Sequence, residues 1–435
     1  MTVHAAFILA LLYTLLAPYV SAQAPQTRGP REEAEAAYKR ASDLAQQGQF
    51  QQAEPFARRA AQLAPSLPHP HNLLGLVLEQ LGRAAEAERA YRDALRLAPQ
   101  LAETRTNLGR LLLRAGKFAE ARSELALAVV SEPNAAEAQL LLGQACYNLK
   151  LWDEAATALA RAADLAPENA EAHFRLGLVA VELKDHANAV IEFQHATERD
   201  PARAEFQFVL GRELARAGNW RAAADAFRSA TERDPANALY FLSLGRALLF
   251  AQEAPAATDA FERAARLRAD IPEIEHLLGL SYEMEKNYAK ARQHFERQLA
   301  RTPDYAESLA HLGSVLLEEG RFDEARARLE QALAKSLEHV TARFDLGSVF
   351  EKQRIYEPAI EAFRRVTELQ PEHTQAHYRL SLLYARTGQR ELAERALAGF
   401  RYLEELDKLS QRELNRIRAA RGSSTGPESP PETPR

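Results

Sequence analysis

Cysteine is almost absent from this chain: Cys146 is the only one among 435 residues. That excludes a disulfide framework and any zinc site built on paired thiolates. A lone thiol in an apolar helical pattern is expected to be a small buried residue rather than a nucleophile. Neither sign of charge prevails. Lys and Arg number 55 against 60 Asp and Glu, interspersed, for a net charge of −5. This argues against a nucleic-acid or anionic-membrane binder. Catalytic motifs are missing as well. There is no H-E-x-x-H, and the spacing around Gly116-Lys117, with Phe118 next, rules out a phosphate-binding loop. Gly422-Ser423-Ser424-Thr425-Gly426 matches the G-x-S-x-G elbow only formally, because no strand-to-helix turn is expected there. No catalytic residue, cofactor or small-molecule substrate is expected.

What the chain has instead is a period. Alanine recurs every 34 residues at Ala53, Ala87, Ala121, Ala155, Ala189, Ala223, Ala257, Ala291, Ala325, Ala359 and Ala393. Twelve residues before nine of these sits a glycine, from Gly75 through Gly347. With position 1 of the first repeat at Ala34, Leu holds position 7 in repeats two to eleven, Gly position 8 in repeats two to ten, with Ser381 in the last, and Ala position 20 in all eleven. Position 24 is large and apolar in most repeats, as in Tyr91, Leu125 and Phe193, and position 32 is Pro in eight of them. Within a repeat, Leu108, Leu111, Leu112 and Ala115 mark one helix face. Gly or a polar residue near position 15 interrupts the pattern, so a second helix follows, and Pro at 32 closes it. The small residues at 8 and 20 let two backbones approach closely.

These columns resemble the tetratricopeptide repeat (TPR) family, helix–turn–helix units of the same period. The resemblance covers residues 34–405 as eleven tandem repeats and implies an all-α, right-handed superhelical solenoid. Several places depart from it. Position 32 is Ala269 in repeat seven and Leu337 in repeat nine, where a longer helix or a change of pitch is expected. Pro55 lies inside a helix, and Ala41 replaces Gly in repeat one. Glu405 replaces Pro in the last repeat, so its second helix can run on into a capping helix, 406–421, that covers the end of the stack. Residues 422–435 read as a disordered tail.

The first 22 residues carry no charged side chain, and an apolar run from Ala5 to Leu16 precedes Val20-Ser21-Ala22. They read as a secretory signal peptide followed by a linker, 23–33, with an uncleaved membrane anchor as the alternative. The expected location is periplasmic or secreted.

Two histidine pairs could begin a metal site, His373 with His377 and His69 with His71, but no third ligand is placed to complete either, so no metal is expected. The Glu row at position 2 (Glu103, Glu137, Glu171, Glu205, Glu273, Glu307) is explained by the first-turn helix dipole. The resemblance implies that positions 2, 5, 9, 12 and 13 of the first helices line a concave groove. Carried over, they give a candidate partner-binding surface of Phe174, Leu178, Phe208, Arg212, Arg216, Leu242, Arg246, Phe250, His276 and Leu280, with Arg110 and Arg114 extending it. Apolar burial with bidentate Arg contacts suits a protein or peptide partner. The resemblance thus implies a non-enzymatic binding scaffold. The alternative is an accessory subunit of an envelope machine for polysaccharide export, pilus or outer-membrane assembly, meeting a membrane only through that complex.

Overall fold

The computed structural model describes residues 29–422. The expected signal peptide, most of the linker and residues 423–435 of the tail lie outside the described residues. Pro30 opens the first helix, Pro30–Gln46, so the end of the expected linker is helical. Proline suits that place because its missing N–H would have no intrahelical partner there. Among the described residues there are 22 helices, two per repeat, and no strand. None is long and apolar enough to cross a membrane. The described residues form two compact bodies, 29–218 and 219–422. In each, helices consecutive along the chain pack against one another.

Two columns fix the helix hairpin. Position 15 is left-handed in all eleven repeats. Six are Gly, such as Gly82 (φ 75°); the others are Lys150, Lys184, Gln252, Lys286 and Arg354, with φ between 58° and 64°. The turn therefore accepts the cost of about 1–2 kcal/mol that a side chain meets there. Position 20 is where the two helices touch. Its alanine is fully buried in repeats one to ten, and only Ala393 of the last repeat is partly exposed.

Position 4 shares one role across several repeats. His71, Arg105, Gln139, His173 and His377 each place a ring, guanidinium or amide nitrogen on the carbonyl of the preceding position 32, at 3.3, 2.9, 3.2, 3.2 and 2.9 Å. In these repeats the column supplies a donor rather than one residue type, whereas Phe241, Glu275 and Leu309 fill it without one. His71 and His377 thereby each commit one ring nitrogen to the seam.

The same device settles the seam at Leu337. Arg343 donates to the Leu337 carbonyl at 2.6 Å, the preceding helix stops at Lys335 and the next starts at Val340. The longer helix expected there does not form, because the carbonyl is closed without proline. At Ala269 the irregularity is real. Glu273 adopts φ 62°, and the first helix of repeat eight starts two residues late, as Ile274–Met284. Cys146 is buried, 3.8 Å from a Glu154 oxygen, and burial pushes its thiol pKa up. At the C-terminus one continuous helix spans Arg390–Gly422. A separate capping helix is not seen, and Tyr402, Leu406 and Leu409 are exposed rather than packed over the last repeat.

Candidate functional site

In the first body the candidate surface divides. Phe174 leaves it: the ring is buried, stacked on Phe206 at 4.3 Å and 5.7 Å from Phe193. The large residue at position 3 of the next repeat draws position 5 into the core. Leu178 and Phe208 are half-buried on the first helices. Arg212 and Arg216 stay exposed, at 52% and 55% of the side chain, and flank Glu213, which is fully buried. Their guanidinium nitrogens stand 3.6 and 3.7 Å from its oxygens, and His186 Nδ1 is at 3.0 Å. The two exposed arginines thus lie beside a buried carboxylate without hydrogen-bonding to it, and its Oε1 accepts no hydrogen bond. Nothing in the repeat columns pointed to Glu213.

Arg110 and Arg114 are engaged differently. Both point to Glu79, at 3.3 and 3.0 Å, whose side chain is 2% exposed and accepts the Tyr91 hydroxyl at 2.8 Å. Arg110 also meets Glu137 and Asn107, at 2.8 and 2.7 Å, so it ties repeats together rather than waiting for a partner. The position-2 glutamates show the same habit. Glu171 receives Arg175 at 2.7 Å and Arg203, the last residue of the same repeat, at 2.6 Å, which adds ion pairing to the dipole effect.

In the second body Phe250 is 63% exposed and lies flat on Trp220, with centroids 4.3 Å apart and planes 18° apart. Met284 is exposed, Leu242 is half-buried, and Arg246 is exposed with only a distant pairing to Glu273 at 3.9 Å. Leu280 is half-buried and packs on the core below. His276 does not belong to this surface. It is buried, with Nδ1 3.0 Å from Ser308 Oγ and its ring 5.2 Å from Tyr305 and 5.7 Å from Phe295. Burial pulls its pKa down to about 4, so it packs as a neutral ring.

A polar row follows in repeats eight to ten. His311 Nδ1 is 2.9 Å from Glu283. Burial alone would lower its pKa, but the hydrogen bond and charge of Glu283 outweigh this and raise it. Asp345 accepts the Ser314 hydroxyl, and burial lifts its pKa to about 6. A carboxyl with a raised folded pKa binds more protons folded than unfolded. Stability is therefore highest below its unfolded value near 4 and falls as pH rises toward about 6. Asp345→Asn should stabilise the protein at pH 7 by about 1–2 kcal/mol, discounted for partial exposure. The gain should vanish near pH 4. Thermal melts at the two pH values check this, and an equal effect at both would refute it.

Tetratricopeptide repeat profiles match residues 106–169, 151–204, 208–272, 311–366 and 353–399, with further matches at 270–338 and 68–101. They cover more than half of the chain, which belongs to the tetratricopeptide repeat family. Its all-α array of eleven helix pairs is that of a protein-interaction scaffold. No curated protein sequence matches it. Among solved structures, MamA 41-end from Desulfovibrio magneticus RS-1 is 24% identical over 40% of this chain and 97% of that one, with a TM-score of 0.37. Yeast Tom70 is 14% identical over 90% and 96%, TM-score 0.40. A chain of the APC/C hetero-tetramer Cut9-Hcn1 is 14% identical over 88% and 96%, TM-score 0.45.

Proposed function

We propose that this protein is a non-enzymatic scaffold of the cell envelope, holding a partner protein or peptide on the first-helix face of its repeats. The observation that carries the reading is the exposed Phe250 ring stacked on Trp220, with Met284 also exposed and Arg246 almost unpaired. A large exposed aromatic beside available guanidinium donors is the composition of a binding hot spot. In the first body, Arg212 and Arg216 offer exposed donors beside buried Glu213, suited to a carboxylate-bearing partner. The apolar N-terminal segment supports action outside the cytoplasm.

The test is crosslinking pull-down from cells. Replacing Arg212, Arg216 and Arg246 together by Ala should reduce partner capture by tenfold or more, about the worth of one charge-assisted contact. Phe250→Ala should do the same with helicity unchanged. Undiminished capture by both variants would rule out this face. A second reading has its own observation. Tyr402, Leu406 and Leu409 are exposed along the last helix, an apolar stripe fit for docking to an envelope assembly or export complex. Deleting residues 404–435 should then release the protein from a membrane fraction, while groove variants remain bound.

A further inference from the structure

Positions 4 and 23 face each other across the helix hairpin, and three repeats place ionisable partners there. In repeat three Arg105 meets Glu124. In repeat eight Glu275 meets His294 at 2.8 Å, with Arg301 at 3.3 Å and Arg297 at 4.0 Å. Both carboxylates therefore have a permanent cation. Repeat five differs. His173 faces Glu192 with Nδ1 2.7 Å from Oε2, and His195, one helical turn beyond Glu192, stands 3.9 Å from the same oxygen. The nearby Arg199 is committed elsewhere, to the carbonyls of Pro167 and His195 and to Glu198. Glu192 thus faces two imidazoles and no permanent cation.

The tautomer of His173 sharpens this. Its Nε2 lies 3.2 Å from the Pro167 carbonyl, which can only accept, so Nε2 carries the proton. In the neutral ring, Nδ1 then presents a lone pair to a carboxylate oxygen. Two acceptors at 2.7 Å need a positive centre between or beside them. His195 adds a third donor atom: its Nδ1 is buried and makes no hydrogen bond. Such an orphaned nitrogen carries a cost unless something binds it.

We propose that His173, Glu192 and His195 form a divalent-metal site suited to Zn2+. One ligand atom from each lies within 4.8 Å of the other two. A tetrahedral zinc with bonds of about 2.0–2.2 Å needs ligand atoms about 3.3 Å apart. The spacings of 2.7 and 3.9 Å bracket that value, and small side-chain rotations reach it. Two imidazoles and one carboxylate are a borderline-soft donor set that favours zinc over calcium or magnesium. The Pro167 carbonyl is the outer partner that fixes the His173 tautomer and orientation. Buried His173 anchors the site, while His195, 42% exposed, gives the ion a way in and leaves a coordination position to water. Glu192 and His195 come from the second helix, His186–Arg199, and His173 from the first, Ala170–Glu182, so the ion would clamp the hairpin of repeat five.

The experiment is titration of the full-length, untagged protein with Zn2+ alone by calorimetry, and with Co2+ alone by visible absorption. The wild type should take up a single equivalent of Zn2+ at this site, show the d–d bands of a four- or five-coordinate Co2+ and melt at a higher temperature with Zn2+ present. His195→Ala should weaken Zn2+ by more than about 100-fold. His173→Gln is the decisive variant. Gln139 already fills position 4 in repeat four and reaches its own seam carbonyl. The substitution thus keeps the structural bond and removes the ligand. It should melt like wild type without metal and lose the Zn2+-dependent rise. Failure of the wild type to bind either ion would overturn the proposal, as would unchanged affinity in His173→Gln and His195→Ala. Partner capture by the first-helix face is independent of either outcome.

Discussion

Gly279→Ala will loosen repeat eight. A Cβ built on Gly279 would lie 2.4, 2.6 and 2.8 Å from Cε1, Cδ1 and Cζ of Phe295. That ring is fully buried, so it has no empty space to swing into. Over-packing of this kind costs about 1–3 kcal/mol, partly offset by alanine's better helix propensity, worth about 1 kcal/mol. Gly279→Val adds β-branching to the clash, forgoes most of that propensity gain and should exceed about 3 kcal/mol. The remedy is written in repeat one, where position 8 is Ala41 and position 24 is Ala57 rather than a large side chain, both fully buried. Phe295→Ala alone opens a cavity and should cost about 3–5 kcal/mol. The double variant Gly279→Ala/Phe295→Ala should then be less destabilised than the sum of its parts by about 1 kcal/mol or more. Stacked repeats need not unfold all at once, so the sensitive readout is amide hydrogen exchange in Ile274–Met284 and Tyr288–Arg301. Unaltered exchange in Gly279→Val would show that the glycine column does not reflect close packing.

That glycine column was legible before any coordinates, because a 34-residue period turns each close approach into a repeated letter. The alanine contact at position 20 and the interruption at position 15 were legible for the same reason. What escaped were features that occur once. Phe174 and His276 sit in a column that points to the groove by register. They are buried because neighbours particular to each, Phe206 in one case and Ser308 and Tyr305 in the other, cover them. Glu213 and the trio His173, Glu192 and His195 lie in variable columns, where a single sequence offers no pattern. The trio did leave a faint trace. Glu192 and His195 are three residues apart on one helix, and His173 lies 19 residues before Glu192, the offset at which Arg105 meets Glu124 in repeat three. Only knowledge that positions 4 and 23 touch makes that offset meaningful.

Glu79→Ala should be among the most damaging substitutions in the first body. Glu79 is nearly inaccessible and joins groups from repeats two and three: the Tyr91 hydroxyl at 2.8 Å, Arg114 at 3.0 Å and Arg110 at 3.3 Å. Tyr91 is itself fully buried, and burial together with the Glu79 charge holds its pKa far above the usual range. Removing the carboxylate strands that hydroxyl without an acceptor, at about 1–3 kcal/mol. It also leaves Arg110, largely covered, facing the space a carboxylate filled, whereas exposed Arg114 can turn to water. The total should reach about 3 kcal/mol. Glu79→Gln retains an acceptor for the hydroxyl and should cost about half as much. The cycle with Tyr91→Phe separates packing from pairing. In the wild type, loss of the hydroxyl should cost about 1 kcal/mol, because it leaves Glu79 short of a donor. In the Glu79→Ala background it should be neutral or stabilising, because the orphaned group disappears. Denaturant unfolding of the four proteins measures the coupling directly. A zero coupling energy would mean that the Tyr91 hydroxyl and Glu79 contribute independently, and would refute the pairing.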